Sequence, residues 1–267
     1  MDRVNIDAYG LLEKIRETKP VIHHLTNWVS IYDCANIVKV LGASPVMAHA
    51  EEEVAEMAKI ASALVLNIGT LTVDFVEAMK IAARSANEKG IPVVLDACGV
   101  GATQLRDKKC FELLDETRID IIKGNASEIA RVSGEDVRTK GVDAVCVNKD
   151  LLEIARHLSQ KRKCTVVITG KEDIVASENK IYLVKNGDPM LTHIVGTGCM
   201  AASVIGTFAA VEHDYAYAAA AGLVCFEIAA ECAAKKSSGP AHFKEKMFDC
   251  VFRLDKNTID RMQKVER

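Results

Sequence analysis

Short apolar runs alternate with longer amphipathic stretches along almost the whole chain. Residues 6–18 place Leu11, Leu12 and Ile15 at helical spacing, and Pro20 ends that helix. Residues 20–27 then read as a buried strand that runs out into polar Thr26 and Asn27. Helix signals cover 29–41 and close at Gly42. Residues 43–48 predict a short strand or extended loop, and 51–61 another helix. A strand at 63–70 and a helix at 73–88 precede the run from Pro92 to Asp96, which is apolar until its final carboxylate. A helix near 109–116, a strand at 119–122, helices at 125–132 and 149–160, and a strand at 165–170 continue the alternation. Residues 173–177 and 180–184 alternate in polarity on either side of Glu178 and Asn179, which predicts a hairpin. Beyond Cys199 the pattern is almost all helical.

Strands that are apolar on both faces and separated by helices predict a parallel sheet covered on both sides, an α/β fold. In such sheets ligands gather beyond the carboxyl ends of the strands. That rule collects Thr26, Asn27, Asn67, Gly69, Thr70, Asp96, Gly124, Asn125, Thr169 and Gly170 at one edge. Neither a Pro/Gly/Ser-rich linker nor an internal repeat divides the chain, so residues 1–267 are expected to form one domain.

Composition narrows the function. Aromatic residues make up only 5%, so the core is expected to be built from Ala, Val, Ile and Leu. The 34 basic and 37 acidic residues are mixed, with no basic run interleaved with aromatics, and nucleic acid is not an expected partner. The cysteines are odd in number and form no C-x-x-C pair. They argue against a disulfide framework or zinc knuckle and for reduced thiols in the cytoplasm. The first residues lack the apolar core of a signal peptide. The longest apolar stretch, 216–234, is interrupted by Glu227 and Glu231, so it reads as a buried helix rather than a membrane span.

The candidate chemistry centres on His193 to Ser203, H-I-V-G-T-G-C-M-A-A-S. Gly196 and Gly198 permit a sharp turn and a close approach. Thr197 is an N-cap candidate, and Ala201, Ala202 and Ser203 continue as helix. Free N–H groups and the positive end of a helix dipole make an anion site, and Cys199 in the first turn is favoured as a thiolate. A purely structural turn with a buried cysteine explains the stretch equally well. Asp96 and Glu128 follow different strands and can converge; with Asn125 they offer hard oxygens for Mg²⁺. A capping box made by Asn125 and Glu128 explains the same spacing. Lys123 can meet a phosphate as a point charge or simply be solvated. Thr169 and Gly170 can bond a nucleotide phosphate or merely close a strand. Residues 98–103 are expected to be a flexible loop. His23, His24 and His49 lack metal-ligand spacing, and Met47 reads as an apolar wall facing either a ligand or the core. Together these are the parts of phosphoryl transfer, without the G-x-x-x-x-G-K-[ST] of a P-loop enzyme.

Seven runs add a further signal: Leu25-Thr26-Asn27, L-G-A-S-P-V-M-A from Leu41, L-N-I-G-T-L from Leu66, Val94-Leu95-Asp96, G-V-G-A-T from Gly99, G-N-A-S-E-I from Gly124 and V-G-T-G-C from Val195. In this order, over nearly the whole chain, they resemble the hydroxyethylthiazole kinase family. The resemblance implies a three-layer α/β/α ribokinase-like fold with a mostly parallel central sheet. It implies ATP-dependent phosphorylation of the primary alcohol of 4-methyl-5-(2-hydroxyethyl)thiazole, in thiamin biosynthesis or salvage. Mg²⁺, ATP as co-substrate and a homotrimer with the thiazole pocket between subunits are implied too. By position, Met47, Gly196 and Asn27 would bind the thiazole, and Lys123, Thr169 and Asn125 the ATP. Asp96 and Glu128 would handle Mg²⁺, while the turn carrying Gly196, Gly198 and Cys199 would hold the transferring phosphoryl group. Many ribokinase-like enzymes have Asp as general base where this chain has Cys199; cysteine there is usual in the thiazole kinases.

Three departures from the family pattern stand out. Lys123 stands where Arg is common and lacks the planar fork. Ala97 and Cys98 replace a common Pro and Val, which predicts a less rigid loop. His24 stands where Cys is frequent. Other readings of the same residues are a kinase for another small heteroaromatic alcohol such as hydroxymethylpyrimidine, a thiol enzyme with Cys199 as covalent nucleophile, and a non-catalytic nucleotide sensor.

Overall fold

The structure is a computed structural model, and it describes residues 2–134 and 151–267. In chain order the elements are β1 (Arg3–Val4), α1 (Ala8–Thr18), β2 (Val21–Leu25), α2 (Ile31–Leu41), β3 (Ser44–Val46), α3 (Val54–Ile60), β4 (Ala63–Asn67), α4 (Val73–Lys89), β5 (Val93–Asp96), α5 (Gln104–Glu116) and β6 (Ile121–Asn125). They continue with α6 (Ala126–Ser133), α7 (Leu151–Arg162), β7 (Thr165–Thr169), β8 (Asp173–Ala176), β9 (Ile181–Val184), a 3-10 turn (Pro189–His193), α8 (Thr197–Ala209), α9 (Tyr215–Ala234), α10 (Pro240–Phe252), α11 (Lys256–Met262) and β10 (Val265–Glu266).

One sheet runs in the order β1-β10-β9-β8-β7-β6-β5-β4-β2-β3. The strands from β3 to β7 are parallel. From β7 through β8, β9 and β10 to β1 they pair antiparallel. The sheet is thus mostly parallel, as expected, and the predicted hairpin, β8–β9, belongs to its antiparallel part. The β7–β8 and β8–β9 connections are too short for a crossover and can only reverse direction. The edge strands β1 and β10 have two residues each, too few to leave a pattern in the sequence.

Each parallel strand divides its residues between two cores, as a period of two requires. Ala63 and Val65 of β4, Val94 of β5, Ile121 of β6 and Val167 of β7 join the core with α1, α2, α8, α9 and α10. Their neighbours Leu64, Leu66, Val93, Leu95, Ile122, Val166 and Ile168 join the core with α3 to α7. Burial on both faces is why these strands read as continuous apolar runs. The apolar stretch predicted to be a buried helix is α9, and 83% of its most apolar window is buried.

Boundaries differ where caps decide them. Helix α5 starts at Gln104, five residues ahead of the prediction, because Thr103 accepts a hydrogen bond from the Arg106 N–H. Residues 51–53 form a turn before α3. Strand β6 extends to Asn125 and so carries Lys123 and Gly124 into the sheet, a pair that hides the strand in an apolar scan. The helix predicted at 149–160 begins outside the described residues; its described part is α7.

Candidate active site

The sheet register builds the floor of the site. Asn67 ends β4 beside Asp96 at the end of β5, and Asp96 lies beside Lys123 of β6. Val65, Val94 and Ile121, two residues earlier, face the core on the α8 side. Asn67, Asp96 and Lys123 therefore point to that side as well. Lys123 is buried and its Nζ donates to Asp96 Oδ1 at 3.2 Å. It is neither solvated nor free. Burial works to strip its charge, but Asp96, Glu128 and Cys199 outweigh it and keep it protonated. The N-terminus of α8 covers this floor: a Cβ on Gly198 would lie 3.1 Å from Lys123 Nζ.

The turn into α8 differs in one detail from the expectation. Gly196, not Thr197, is the N-cap, with φ at 92°. Thr197 is the first helical residue, and its hydroxyl donates back to the Leu191 and Ile194 carbonyls. A threonine cannot take the left-handed conformation the cap needs, so glycine displaces the better capping side chain. Glycine is required twice over, because a Cβ at 196 would sit 2.8 Å from Ser30 Cβ. The first intrahelical bond closes from Met200 N–H to the Gly196 carbonyl at 2.8 Å. The N–H groups of Thr197, Gly198 and Cys199 precede it at the positive end of the helix, available to an anion.

Among the described residues Cys199 has one side-chain donor at its sulfur. Asn27 Nδ2 donates to its sulfur at 3.1 Å. Cys98, Lys123 and Ser30 stand beside it, and the Ser30 hydroxyl donates to Asn27 Oδ1 at 3.0 Å. The Cys98 contact, with help from Lys123, Ser30 and Asn27, overcomes burial and lowers the Cys199 thiol to about 5. At neutral pH it is a thiolate. The same contact pushes Cys98 well above the ordinary thiol range, so Cys98 keeps its proton. Behind the sulfur, Asn27 Nδ2 also donates to Asn67 Oδ1 at 2.9 Å, and Asn67 Nδ2 to Asp96 Oδ2 at 2.6 Å. The Asn27 carbonyl oxygen accepts from the Val29 and Ser30 N–H groups and from Ser30 Oγ. A continuous chain thus links Asp96 to Cys199 through two buried amides.

Glu128 stands on the far side of Asp96. Its Oε2 accepts from the Asn125 N–H and Asn125 Oδ1 accepts from the Glu128 N–H, so the capping box is present. Oε1 accepts from the Gly99 N–H at 2.7 Å and ties α6 to the 97–103 loop. That loop is not slack, contrary to the expectation. Ala97 N–H bonds the Lys123 carbonyl, Gly101 N–H bonds Asp107 Oδ1, and the Arg106 guanidinium donates to the carbonyls of Ile68, Gly69 and Cys98. Backbone pinning supplies the rigidity that a proline at 97 would have given.

The cluster is short of positive charge. Burial first, then the proximity of Cys199 and Glu128, raises Asp96 to about 8 against the pull of Lys123. One lysine serves two carboxylates and a thiolate. A Mg²⁺ ion fits this donor set, since it is bound by one or two carboxylates with water and nucleotide phosphates completing the shell. Among the described residues no three His, Cys, Asp or Glu side chains gather into a metal cage.

The remaining predicted residues take more peripheral places. Met47 is half-buried in the loop after β3. His23, buried on β2, holds that loop through the Ala48 carbonyl, 2.8 Å from Nε2. Thr169 lies half-buried at the end of β7, its hydroxyl directed at the Gly124 carbonyl. His24 is a core residue, bonded to Ser203 Oγ at 3.1 Å. Sequence reasoning missed Ser30, Arg106 and the role of Asn67. Ser30 carries no motif, and Arg106 acts on carbonyls that any sequence provides.

Helices on both faces of a mixed sheet, with an anion-binding helix start over a strand-end lysine and carboxylates, define a ribokinase-like kinase. The same fold is seen in a ribokinase-like superfamily protein from Enterococcus faecalis, at a TM-score of 0.63 and 13% identity over 94% of this chain and 98% of that one. The profile of the hydroxyethylthiazole kinase family matches residues 12–257, and the chain belongs to that family. It is 52% identical over 255 residues to a hydroxyethylthiazole kinase of Methanosarcina mazei, covering 96% of this chain and 98% of the relative. The structure of a hydroxyethylthiazole kinase from Pyrococcus horikoshii superposes with a TM-score of 0.90 at 37% identity, covering 97% of this chain and 98% of that one.

Proposed function

We propose that the chain, acting as one kinase domain, transfers the terminal phosphoryl group of ATP to the primary alcohol of 4-methyl-5-(2-hydroxyethyl)thiazole, a step of thiamin biosynthesis or salvage. The observation that carries this reading is Cys199. It lies in the first turn of α8, accepts from Asn27 Nδ2 and is favoured as a thiolate by its neighbours, one residue beyond Gly198, which lies against Lys123. A thiolate so placed takes the hydroxyl proton as the alcohol oxygen attacks phosphorus. The free N–H groups at the start of α8 and Lys123 offset the charge that spreads over the phosphoryl oxygens.

Asp96 and Glu128 would hold Mg²⁺, which supplies charge neutralisation between the nucleotide phosphates when bound. Lys123, Thr169 and Asn125 take the nucleotide, with Asn125 acting chiefly as the cap that fixes Glu128. Met47 and Gly196 border the thiazole. The Asn27 amide is already filled by Asn67, Cys199 and Ser30, so its part is to hold Cys199 rather than to grip the ring.

The mouth of the site is apolar and exposed. Trp28, Val29, Tyr32 and Val195 face outward, and Trp28 stacks on Phe75 with ring centroids 5.7 Å apart. An apolar rim of this kind is buried by association, which supports a homotrimer with the pocket completed at the interface. Nine scattered cysteines without a disulfide-type spacing suit the cytoplasm, where thiols stay reduced. ADP release measured over a panel of small alcohols tests the activity. Turnover is expected with the hydroxyethylthiazole and not with hydroxymethylpyrimidine; the reverse preference would refute the assigned acceptor.

A further inference from the structure

Arg106 is a cation placed against the preference of its own helix. It lies in the first turn of α5, at the positive end of the helix dipole. Its side chain is half-buried, and among the described residues it pairs with no carboxylate. The guanidinium is given instead to three backbone carbonyls. Nη1 donates to Ile68 at 2.8 Å and to Cys98 at 3.2 Å, and Nη2 donates to Gly69 at 2.8 Å. One planar fork thus joins the exit loops of β4 and β5, which a lysine, with all its donors on one nitrogen, cannot reproduce.

The peptide groups it holds are the ones that orient the site. In a planar trans peptide the N–H points away from the C=O, so fixing the oxygen aims the hydrogen. The carbonyl of Ile68 and the N–H of Gly69 belong to one peptide. That N–H donates to Asn67 Oδ1 at 2.9 Å, and the same oxygen accepts from the Asn27 amide that donates to Cys199. The carbonyl of Cys98 and the N–H of Gly99 belong to a second peptide, and that N–H donates to Glu128 Oε1 at 2.7 Å. Glycine at 99 makes room for the fork, since a Cβ there would lie 2.9 Å from Nη1. We propose that Arg106 is a positioning residue for phosphoryl transfer, aiming these two peptide groups together so that Cys199 and Glu128 are set by one side chain.

The proposal rests on the kinase reading, and its test separates the two. Arg106→Lys keeps the charge and the apolar stem, and Arg106→Ala removes the fork altogether. In both, kcat for transfer to the thiazole alcohol should fall about a hundredfold, as expected when reacting groups are misplaced. KM for the alcohol should change little, because Met47 and Gly196 are untouched. Guanidinium chloride, at millimolar concentrations too low to unfold the protein, should restore turnover in Arg106→Ala but not in Arg106→Lys, whose ammonium fills the place. Hydrogen exchange reads the same arrangement without turnover. The amides of Gly69 and Gly99 should lose protection together in both variants. Wild-type turnover in either folded variant, or exchange that changes at only one of the two glycines, would overturn the proposal. A wild-type protein that transfers nothing to the alcohol would refute the kinase reading instead, and exchange at the two glycines would still decide the positioning.

Discussion

At the scale of single residues, two titrating groups carry most of what can be measured. Cys199 is lowered to about 5 by its neighbours, chiefly Cys98 with Lys123, Ser30 and Asn27 behind it. The rate should therefore fall on acidification through about pH 5, where the thiolate is protonated. Asn27→Ala removes the donor among them. Its acidic limb should move to higher pH, with kcat reduced about ten- to hundredfold near neutrality, as expected for losing a hydrogen bond to a charged group. An unmoved limb in the pH–rate profile would show that Asn27 does not hold the thiolate. His24 gives the opposite kind of signal. Burial lowers it to about 4 from the ordinary 6.5. Between those values the unfolded chain binds a proton that the folded one does not, so stability declines as pH falls through that window. The loss approaches about 3 kcal/mol at the acid end. Denaturant titrations from pH 4 to 7 check it, and His24→Gln should flatten the curve. Asp96 and Lys123 were legible in the sequence because each ends an apolar run, and Cys199 because it follows a glycine turn into a helix. Ser30 was not marked at all, and Asn67 was marked only as a strand-end residue, since their importance lies in what they touch across the sheet.

At the scale of elements, α8 matters most, and its contact with the sheet is set by one glycine. A Cβ on Gly206 would meet Val65 Cγ2 at 2.5 Å. Gly206→Ala gains about 1 kcal/mol of helix propensity, yet overpacking here costs about 1–3 kcal/mol and lifts the helix from β4. The variant should melt below the wild type and bind ATP more weakly, because the start of α8 moves with the rest of the helix. A raised melting temperature would contradict this packing. Asn125→Ala should cost about 1–2 kcal/mol through the lost cap and also loosen Glu128, which a fall in Mg²⁺ affinity would report. Most helices and all the central strands were readable from period and punctuation. The start of α5 was not, because the Thr103 cap lies ahead of the apolar residues that mark the helix. The extent of β6 was obscured by Lys123, a buried charge that looks like a strand end until Asp96 is placed beside it. The capping-box and metal readings of Asn125 and Glu128 do not compete, since the box orients the same carboxylate that would face the ion.

At the scale of the whole molecule, the mixed sheet divides the labour. Its parallel half ends in Asn67, Asp96, Lys123 and Thr169. The antiparallel half returns the chain to the same edge, so that the 3-10 turn and α8 can cap those residues. The order of strands could not be read from the sequence, because pairing across a sheet leaves no local trace. The exposed rim of Trp28, Tyr32 and Val195 belongs to this scale too. Tyr32→Glu with Val195→Glu should break the proposed trimer to monomer in sedimentation and raise KM for the thiazole more than for ATP. A trimer that survives both charges would place the interface elsewhere. The most direct test of the catalytic site is Cys199→Asp in the full-length protein, assayed for ATP-dependent phosphorylation of the thiazole alcohol. A carboxylate among the same donors can take the hydroxyl proton, so substantial activity is predicted. Complete loss of transfer in a folded Cys199→Asp protein would contradict a proton-accepting role and favour a covalent one for the sulfur.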